Sequence, residues 1–181
     1  MAFDFEKILI EKHTIEKRVI ELGKKISSDY TDKELLVICI LKGSILFFAD
    51  LIRSLSIPVK IDFIKASSYG TRTSTSGEVK VNDLLSEKIK GQSVLLVEDI
   101  VDSGFTIKRI LDFFMEQGAA DVRVCTLLDK PDRRAADIKP DYSGFTIPDE
   151  FVVGYGLDYD EKYRNLPDIG VLHPRIYGGE E

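Results

Sequence analysis

The sequence predicts an α/β fold: a mostly parallel, twisted sheet flanked by helices. Three observations lead there. Leu35–Leu41 (LLVICIL), Val94–Val97 (VLLV) and Val122–Leu128 (VRVCTLL) are largely apolar runs of strand length, as for strands buried on both faces of a sheet. Helical patterns follow the first two, so that strand and helix alternate as in βαβ units. Each run also ends in a short polar loop: Lys42-Gly43-Ser44, Glu98-Asp99 with Asp102-Ser103-Gly104, and Asp129-Lys130-Pro131. A parallel sheet gathers such loops at the carboxyl ends of its strands, where ligands bind.

Length and composition set the limits. The 181 residues fit one domain, 1–181, with room for a real core. The chain is 44% hydrophobic and 31% charged, ordinary for a globular protein. A net charge of −6 argues against general affinity for nucleic acid or anionic membrane. No apolar run approaches the roughly 20 residues of a membrane span, and no secretory leader is read at the start. Cys39 and Cys125 lie in apolar runs without CxxC spacing, which suits reduced core thiols in the cytoplasm. His13 and His173 are too far apart in sequence to suggest a metal cluster.

In chain order, Lys7–Ile10 reads as a short edge strand. Thr14 is then the expected N-cap of a helix in which Ile15, Val19, Leu22 and Ile26 keep a helical period to about Ser28. After Leu35–Leu41 comes a mostly apolar helix, Ile45–Leu55, and Pro58 marks the next turn. Val59–Ala66 alternates, predicting Val59, Ile61 and Phe63 inward and Lys60 and Asp62 on a wetter face. Ser67–Glu78 (SSYGTRTSTSGE) has no aliphatic residue and is expected to be mobile without ligand, with Val79–Leu85 as the return strand of a hairpin. Beyond Val94–Val97, Ile107, Ile110, Leu111 and Phe114 share one helix face. A polar stretch runs from Asp129-Lys130-Pro131 to Pro140. Phe151–Tyr155 is expected to be the last core strand, ending at Gly156-Leu157-Asp158, and the tail holds a short apolar run at Ile169–Leu172.

The chemistry concentrates in Val94–Thr106 (VLLVEDIVDSGFT). A helix N-terminus offers free N–H groups and a positive dipole end, Gly104 lets backbone approach closely, and Ser103 and Thr106 add hydroxyl donors, which together make a phosphate site. Glu98 and Asp99 would repel that phosphate, so they need another partner: sugar hydroxyls, a divalent cation, or a proton in the reaction. A helix cap accounts for any one of these residues, but the set ED-x-x-DSG-x-T in register after an apolar strand marks a site. Lys42-Gly43-Ser44 repeats the anion-site logic with a lysine as point charge.

VEDIVDSGFT resembles the phosphoribosyl-pyrophosphate (PRPP) signature of type I phosphoribosyltransferases, and the chain from Lys7 to Leu172 resembles the hypoxanthine-guanine phosphoribosyltransferases. The resemblance implies the type I phosphoribosyltransferase fold with a small hood and a flexible active-site loop. It also implies Mg2+-dependent purine salvage: transfer of 5-phosphoribose from PRPP to hypoxanthine or guanine, giving IMP or GMP and pyrophosphate. By that resemblance Asp102 is the general base, or the acceptor at purine N7. Ser103, Gly104, Phe105 and Thr106 hold the 5′-phosphate, while Glu98 and Asp99 orient the ribose and serve with Asp158 at the metal. Lys42 and Gly43, from LKGS, and Arg164 bind pyrophosphate. Ser68-Tyr69 matches the dipeptide of the closing loop. Lys130 donates to the 6-oxo group, Phe151 stacks on the purine and the Val152 backbone reads the ring edge, these last from the stretch IPDEFVVGYGLDYDEKYR. Phe105 stands where some members carry lysine, which matters little to a phosphate held by backbone N–H. A homodimer or homotetramer is implied.

Two other readings remain open on the sequence. One keeps the PRPP site and changes the base to xanthine or a pyrimidine. The other is a nucleotide-sensing regulator on this fold that binds RNA or DNA; the acidic charge, Asp102 and the base-binding stretch count against it.

Overall fold

The computed structural model describes residues 4–65 and 88–178. The elements are β1 (Phe5–Ile10), α1 (Lys12–Asp29), β2 (Leu35–Leu41), α2 (Ile45–Ser54), β3 (Val59–Lys65), β4 (Ser93–Val101), α3 (Phe105–Glu116), β5 (Asp121–Asp129), β6 (Tyr142–Thr146), β7 (Val152–Val153), β8 (Ile169–Leu172) and α4 (Pro174–Tyr177). Five strands form the main sheet in the order β3-β2-β4-β5-β6, all pairs parallel. The remaining three form a small antiparallel sheet, β1-β8-β7, which is the hood.

The apolar runs at 35–41, 94–97 and 122–128 become the three central strands because neither face of that part of the sheet meets water. Alternate residues supply the two faces. Leu35, Val37, Cys39, Leu95, Val97, Cys125 and Leu127 pack with α1, α2 and the hood. Leu36, Ile38, Ile40, Val94, Leu96 and Val124 pack against Ile107, Ile110 and Phe114 of α3. On α1 the buried Ile15, Val19, Leu22 and Ile26 keep the spacing read from the sequence. Arg18 on the same helix reaches the edge strand β6, where Nε donates to the Gly144 carbonyl at 2.8 Å and Nη2 to that of Ser143 at 2.9 Å. The guanidinium thereby ties α1 to the strand at the sheet's edge.

Several expectations are corrected. Helix α1 starts at Lys12 with Glu11 at its N-cap, so Thr14 lies inside the first turn and donates its N–H to the Glu11 carbonyl. In β3, Val59 and Phe63 pack against the core and Lys60 is exposed as expected, but Ile61 is exposed, while Asp62 is buried and accepts the Phe63 N–H at 2.8 Å. Phe151–Tyr155 is not a strand of the main sheet; only Val152–Val153 is extended, and it pairs antiparallel with β8 in the hood. The fifth parallel strand is Tyr142–Thr146, whose sequence YSGFT carries no apolar run. The short run Ile169–Leu172 is the hood's central strand. The proposed loop at Ser67–Glu78 and return strand at Val79–Leu85 lie outside the described residues.

Leu96 is fully buried at the middle of β4, between β2 and β5. Leu96→Ala removes three carbons from a packed site and leaves a cavity, so it is expected to cost about 3 kcal/mol. A lowered urea midpoint at unchanged slope checks this.

Candidate active site

The site begins where two neighbouring strands part. Pairing between β2 and β4 stops at Cys39–Val97, whereas β4 stays paired with β5 to Val101–Asp129. The last four residues of β4 are therefore open on the β2 side. Glu98 and Asp99 stand there, inside the strand and not past its end as the apolar run suggested. A cleft of about 380 Å3 opens over them, lined also by Lys42, Gly43, Asp102, Ser103, Gly104, Thr106, Asp158 and Arg164. These ten are the sequence-predicted residues that the fold brings together.

The loop after β2 turns directly against Asp99. The Leu41–Lys42 peptide bond is cis, and Gly43 lies so close that any Cβ there would collide with the Asp99 carboxylate. Glycine is required at this position by space. Ser44, fully buried, donates to the Ile40 carbonyl and holds the turn.

The loop after β4 is shaped by Gly104, the N-cap of α3, at φ +85°. A left-handed residue there swings the chain from strand into helix, and with no side-chain cap the first N–H groups of α3 stay open to an anion. Phe105 is the first helical residue, its ring well exposed. Beneath the loop lies Arg134, which the sequence reading missed. Its Nε donates to the Asp102 carbonyl at 2.9 Å, Nη2 to that of Val101 at 3.1 Å and Nη1 to that of Ile138 at 2.7 Å, with Asp129 as counter-ion. Ala135 and Ala136 N–H both donate to the Ser103 carbonyl at 3.0 Å. The loop's carbonyls are thus drawn downward, leaving its N–H side for a ligand. An arginine pair shortly after a buried-strand loop was the available signal, but surface exposure explains most such residues.

Charge in the cleft is arranged in opposed sets. Burial, then the charge of Asp99, raises Glu98 well above the usual carboxylate range, and burial pushes Asp99 up to about 6. Glu98 Oε2 is buried with no hydrogen-bond partner. Opposite, Lys42 Nζ meets Glu161 at 3.0 Å, and Arg164 Nη2 meets Asp158 Oδ1 at 2.7 Å while its Nη1 donates to the Gly156 carbonyl at 2.8 Å. Asp158 and Arg164 come from a turn below the hood in which Asp160, Glu161 and Tyr163 have positive φ, a conformation that costs about 1–3 kcal/mol each. Glu161 was not anticipated, nor was Lys65, which lines the same cleft from the end of β3.

Lys130, Phe151 and Val152 are not in that lining but form a neighbouring group. Lys130 is nearly buried and donates from Nζ to the Glu150 carbonyl at 2.7 Å. Phe151 stacks on Tyr177 at 4.8 Å between ring centroids and meets Tyr159 edge-on at 5.6 Å. Val152 is fixed in β7, and the Leu172 N–H donates to the Phe151 carbonyl. Arg133 and Asp149 link this group to Asp102 of the lining: Arg133 Nε lies 2.8 Å from Asp102 Oδ1, and its Nη1 lies 3.2 Å from Asp149. Ser68 and Tyr69 lie outside the described residues.

Comparison with known proteins agrees with this geometry. Residues 7–160 match the model of the phosphoribosyl transferase domain family. The hypoxanthine-guanine phosphoribosyltransferase of Bacillus subtilis is 49% identical over 177 residues, 98% of either chain. A crystal structure of a hypoxanthine phosphoribosyltransferase from Staphylococcus aureus superposes with a TM-score of 0.94 at 44% identity, covering 98% of this chain and 96% of the other. A Trypanosoma cruzi hypoxanthine phosphoribosyl transferase, solved to address the role of its C-terminal region in oligomeric state and activity, gives 0.91 at 40% identity, with 96% and 94% covered. The chain belongs to the phosphoribosyltransferases, and among them to the hypoxanthine-guanine phosphoribosyltransferases. It is an enzyme of phosphoribosyl transfer.

A carboxyl whose folded pKa is raised favours the protonated folded state. For Asp99 that contribution is complete below the ordinary value of 3.8 and is lost as pH rises through about 6. Asp99→Asn is neutral at every pH and keeps the acceptor for the Ile100 N–H. It is expected to raise the melting temperature at pH 8, by about 2 kcal/mol of stability, and to give little gain near pH 4. Melting curves at the two pH values check the sign.

Proposed function

We propose that this cleft carries out the Mg2+-dependent, reversible transfer of 5-phosphoribose from PRPP to hypoxanthine or guanine, releasing pyrophosphate. The observation that carries the reading is the open N-terminus of α3 set beside the raised carboxylates of β4, with Lys42 and Arg164 in the lining of the same cleft. A 5′-phosphate suits the N–H groups and hydroxyls of Ser103–Thr106, and a ribose diol suits Glu98 and Asp99. Pyrophosphate suits Lys42, the Gly43 backbone and Arg164, taking over cations now paired with Glu161 and Asp158.

In the transfer, the bond from C1′ to the pyrophosphate oxygen breaks with its electron pair leaving on oxygen, and a C1′–N bond to the purine forms. Asp102 accepts the proton, or the hydrogen bond, at purine N7. Lys130 donates to the 6-oxo oxygen; an ammonium has donors only, so it disfavours the 6-amino group of adenine. Phe151 offers its ring face, and the Val152 backbone the ring edge.

Magnesium fits this donor set. The partnerless, buried Glu98 Oε2 asks for a cation or a hydroxyl, with Asp99 and Asp158 in the same cleft. Among the described residues no three His, Cys, Asp or Glu side chains are grouped to hold a metal unaided. An ion held by few carboxylates and completed by substrate oxygens and water is the usual magnesium arrangement. When bound, the ion neutralises charge on the departing pyrophosphate.

Residues 1–181 act as one domain in this proposal, since hood and main sheet share one apolar cluster. A cytoplasmic setting is supported by the two free, buried cysteines. A homodimer or homotetramer is proposed from the family resemblance, and the attention given to the oligomeric state of the Trypanosoma cruzi relative supports an assembly of some kind. Among the described residues no helix is long and apolar enough to cross a membrane.

The test is a coupled assay with PRPP and Mg2+ against hypoxanthine, guanine, xanthine, adenine and uracil. Turnover of the first two, with adenine and uracil inert, is expected. Asp102→Asn should keep the KM for PRPP and lower kcat by about a hundredfold or more; unchanged turnover removes Asp102 from its role.

A further inference from the structure

The two groups that read the base in the proposed reaction are joined by a continuous line of alternating charge. Asp102 Oδ1 lies 2.8 Å from Arg133 Nε. Arg133 Nη1 lies 3.2 Å from both oxygens of Asp149. Asp149 Oδ1 lies 3.7 Å from Lys130 Nζ. Asp102 comes from the loop after β4, Lys130 and Arg133 from the end of β5 and the 3-10 turn Pro131–Arg133, and Asp149 from the segment leading into β7. Three separate stretches of chain are thus tied by one guanidinium.

The line also divides the oxygens of Asp102. Oδ1 is shut off from solvent beneath Arg133, with which it makes an ion pair but no hydrogen bond, while the side chain as a whole stays 43% exposed. Oδ2 is therefore the oxygen left for a ligand. On a 6-oxopurine, O6 and N7 sit side by side on one edge of the ring system. With hydrogen on N7 that edge presents one acceptor and one donor, and it needs one donor and one acceptor at a fixed separation to read it. Lys130 and Asp102 are that pair in the reading above, and Arg133 with Asp149 is what spans the gap between them.

We infer that Arg133 is a positioning residue for the base, acting through Asp102 and partnered by Asp149, a role that rests on the proposed transfer to 6-oxopurines. Arg133 pairs by charge with one oxygen of Asp102, leaves the other turned to N7, and ties that pairing through Asp149 to the lysine at O6. It is not among the residues that line the cleft. Lysine at the same place supplies a point charge for one carboxylate and cannot span two.

Steady-state kinetics on the full-length enzyme tests this, with hypoxanthine and PRPP varied in turn. Arg133→Ala is expected to lower kcat/KM for hypoxanthine about tenfold while the KM for PRPP stays within about twofold. The Arg133 side chain is half exposed, so the melting temperature should hold. Asp149→Asn should give a similar loss, the double variant little more than either alone, and Arg133→Lys a partial recovery. The decisive arm is the Asp102→Asn background, where Arg133→Ala should cost no more than about twofold, because a residue acting through Asp102 has nothing left to position. A full tenfold loss in that background, a KM for PRPP rising in step, or an Arg133→Ala enzyme equal to wild type each overturns the positioning role. Wild-type turnover separates the two readings: an active wild type with an indifferent Arg133→Ala sinks this inference alone, whereas a wild type inert with every base takes the proposed function with it.

Discussion

The constraint on which the site depends is the parting of two neighbouring strands. Past Cys39–Val97, β2 stays paired with β3 to Leu41 and β4 with β5 to Val101, but the two no longer pair with each other. An extended backbone paired on one side only is rigid, yet it leaves room beside it, and the room is where Glu98 and Asp99 stand. Had β2 and β4 stayed paired, those positions would be covered by another strand. Instead the chain after β2 turns over at Gly43 and rests on the Asp99 carboxylate without a side chain between them. Carboxylates are thereby held in a poorly solvated place, and the protein bears that cost where a ligand can repay it.

The other half of the site is organised from below. Arg134 spends its donors on three backbone carbonyls and one buried-side carboxylate, none of which is in the cleft lining as a side chain. A guanidinium suits the task because its planar donors reach neighbouring carbonyls at fixed angles. The neighbouring Arg133 turns the opposite way, toward the Asp102 and Asp149 side chains. Two adjacent residues of one type thus divide the work: one fixes the loop's backbone and the other its carboxylate.

How much of this was legible depended on how local the signal was. The central strands announced themselves because burial on both faces forces an unbroken apolar run, as at Leu35–Leu41 and Val94–Val97. The phosphate loop was legible because glycine, hydroxyls and a helix start must lie adjacent in sequence to act together. Tyr142–Thr146 was not legible: an edge strand is covered on fewer sides, so YSGFT needs no apolar run, and its pairing is supplied by β5 and by Arg18 more than 120 positions away. The exposed Ile61 and buried Asp62 broke the alternation of β3 at those two positions because an edge strand's faces are set by its neighbours. Arg133, Arg134 and Glu161 escaped notice because a charged residue in a loop is ordinarily a solvated one, and only the fold shows which carboxylate or carbonyl it meets.

The hood carries a consequence for how the protein is made. Its first strand, Phe5–Ile10, pairs with Ile169–Leu172, so two segments far apart in sequence are joined. Chain emerges from the ribosome in order, and the main sheet's five strands are all out by Thr146. The hood must wait for Ile169–Leu172, and until those residues are made β1 lacks its partner. The turn bearing Asp158 and Arg164 is made in that interval. The hood therefore closes over a main sheet whose strands already exist, and a long loop must be closed to form it.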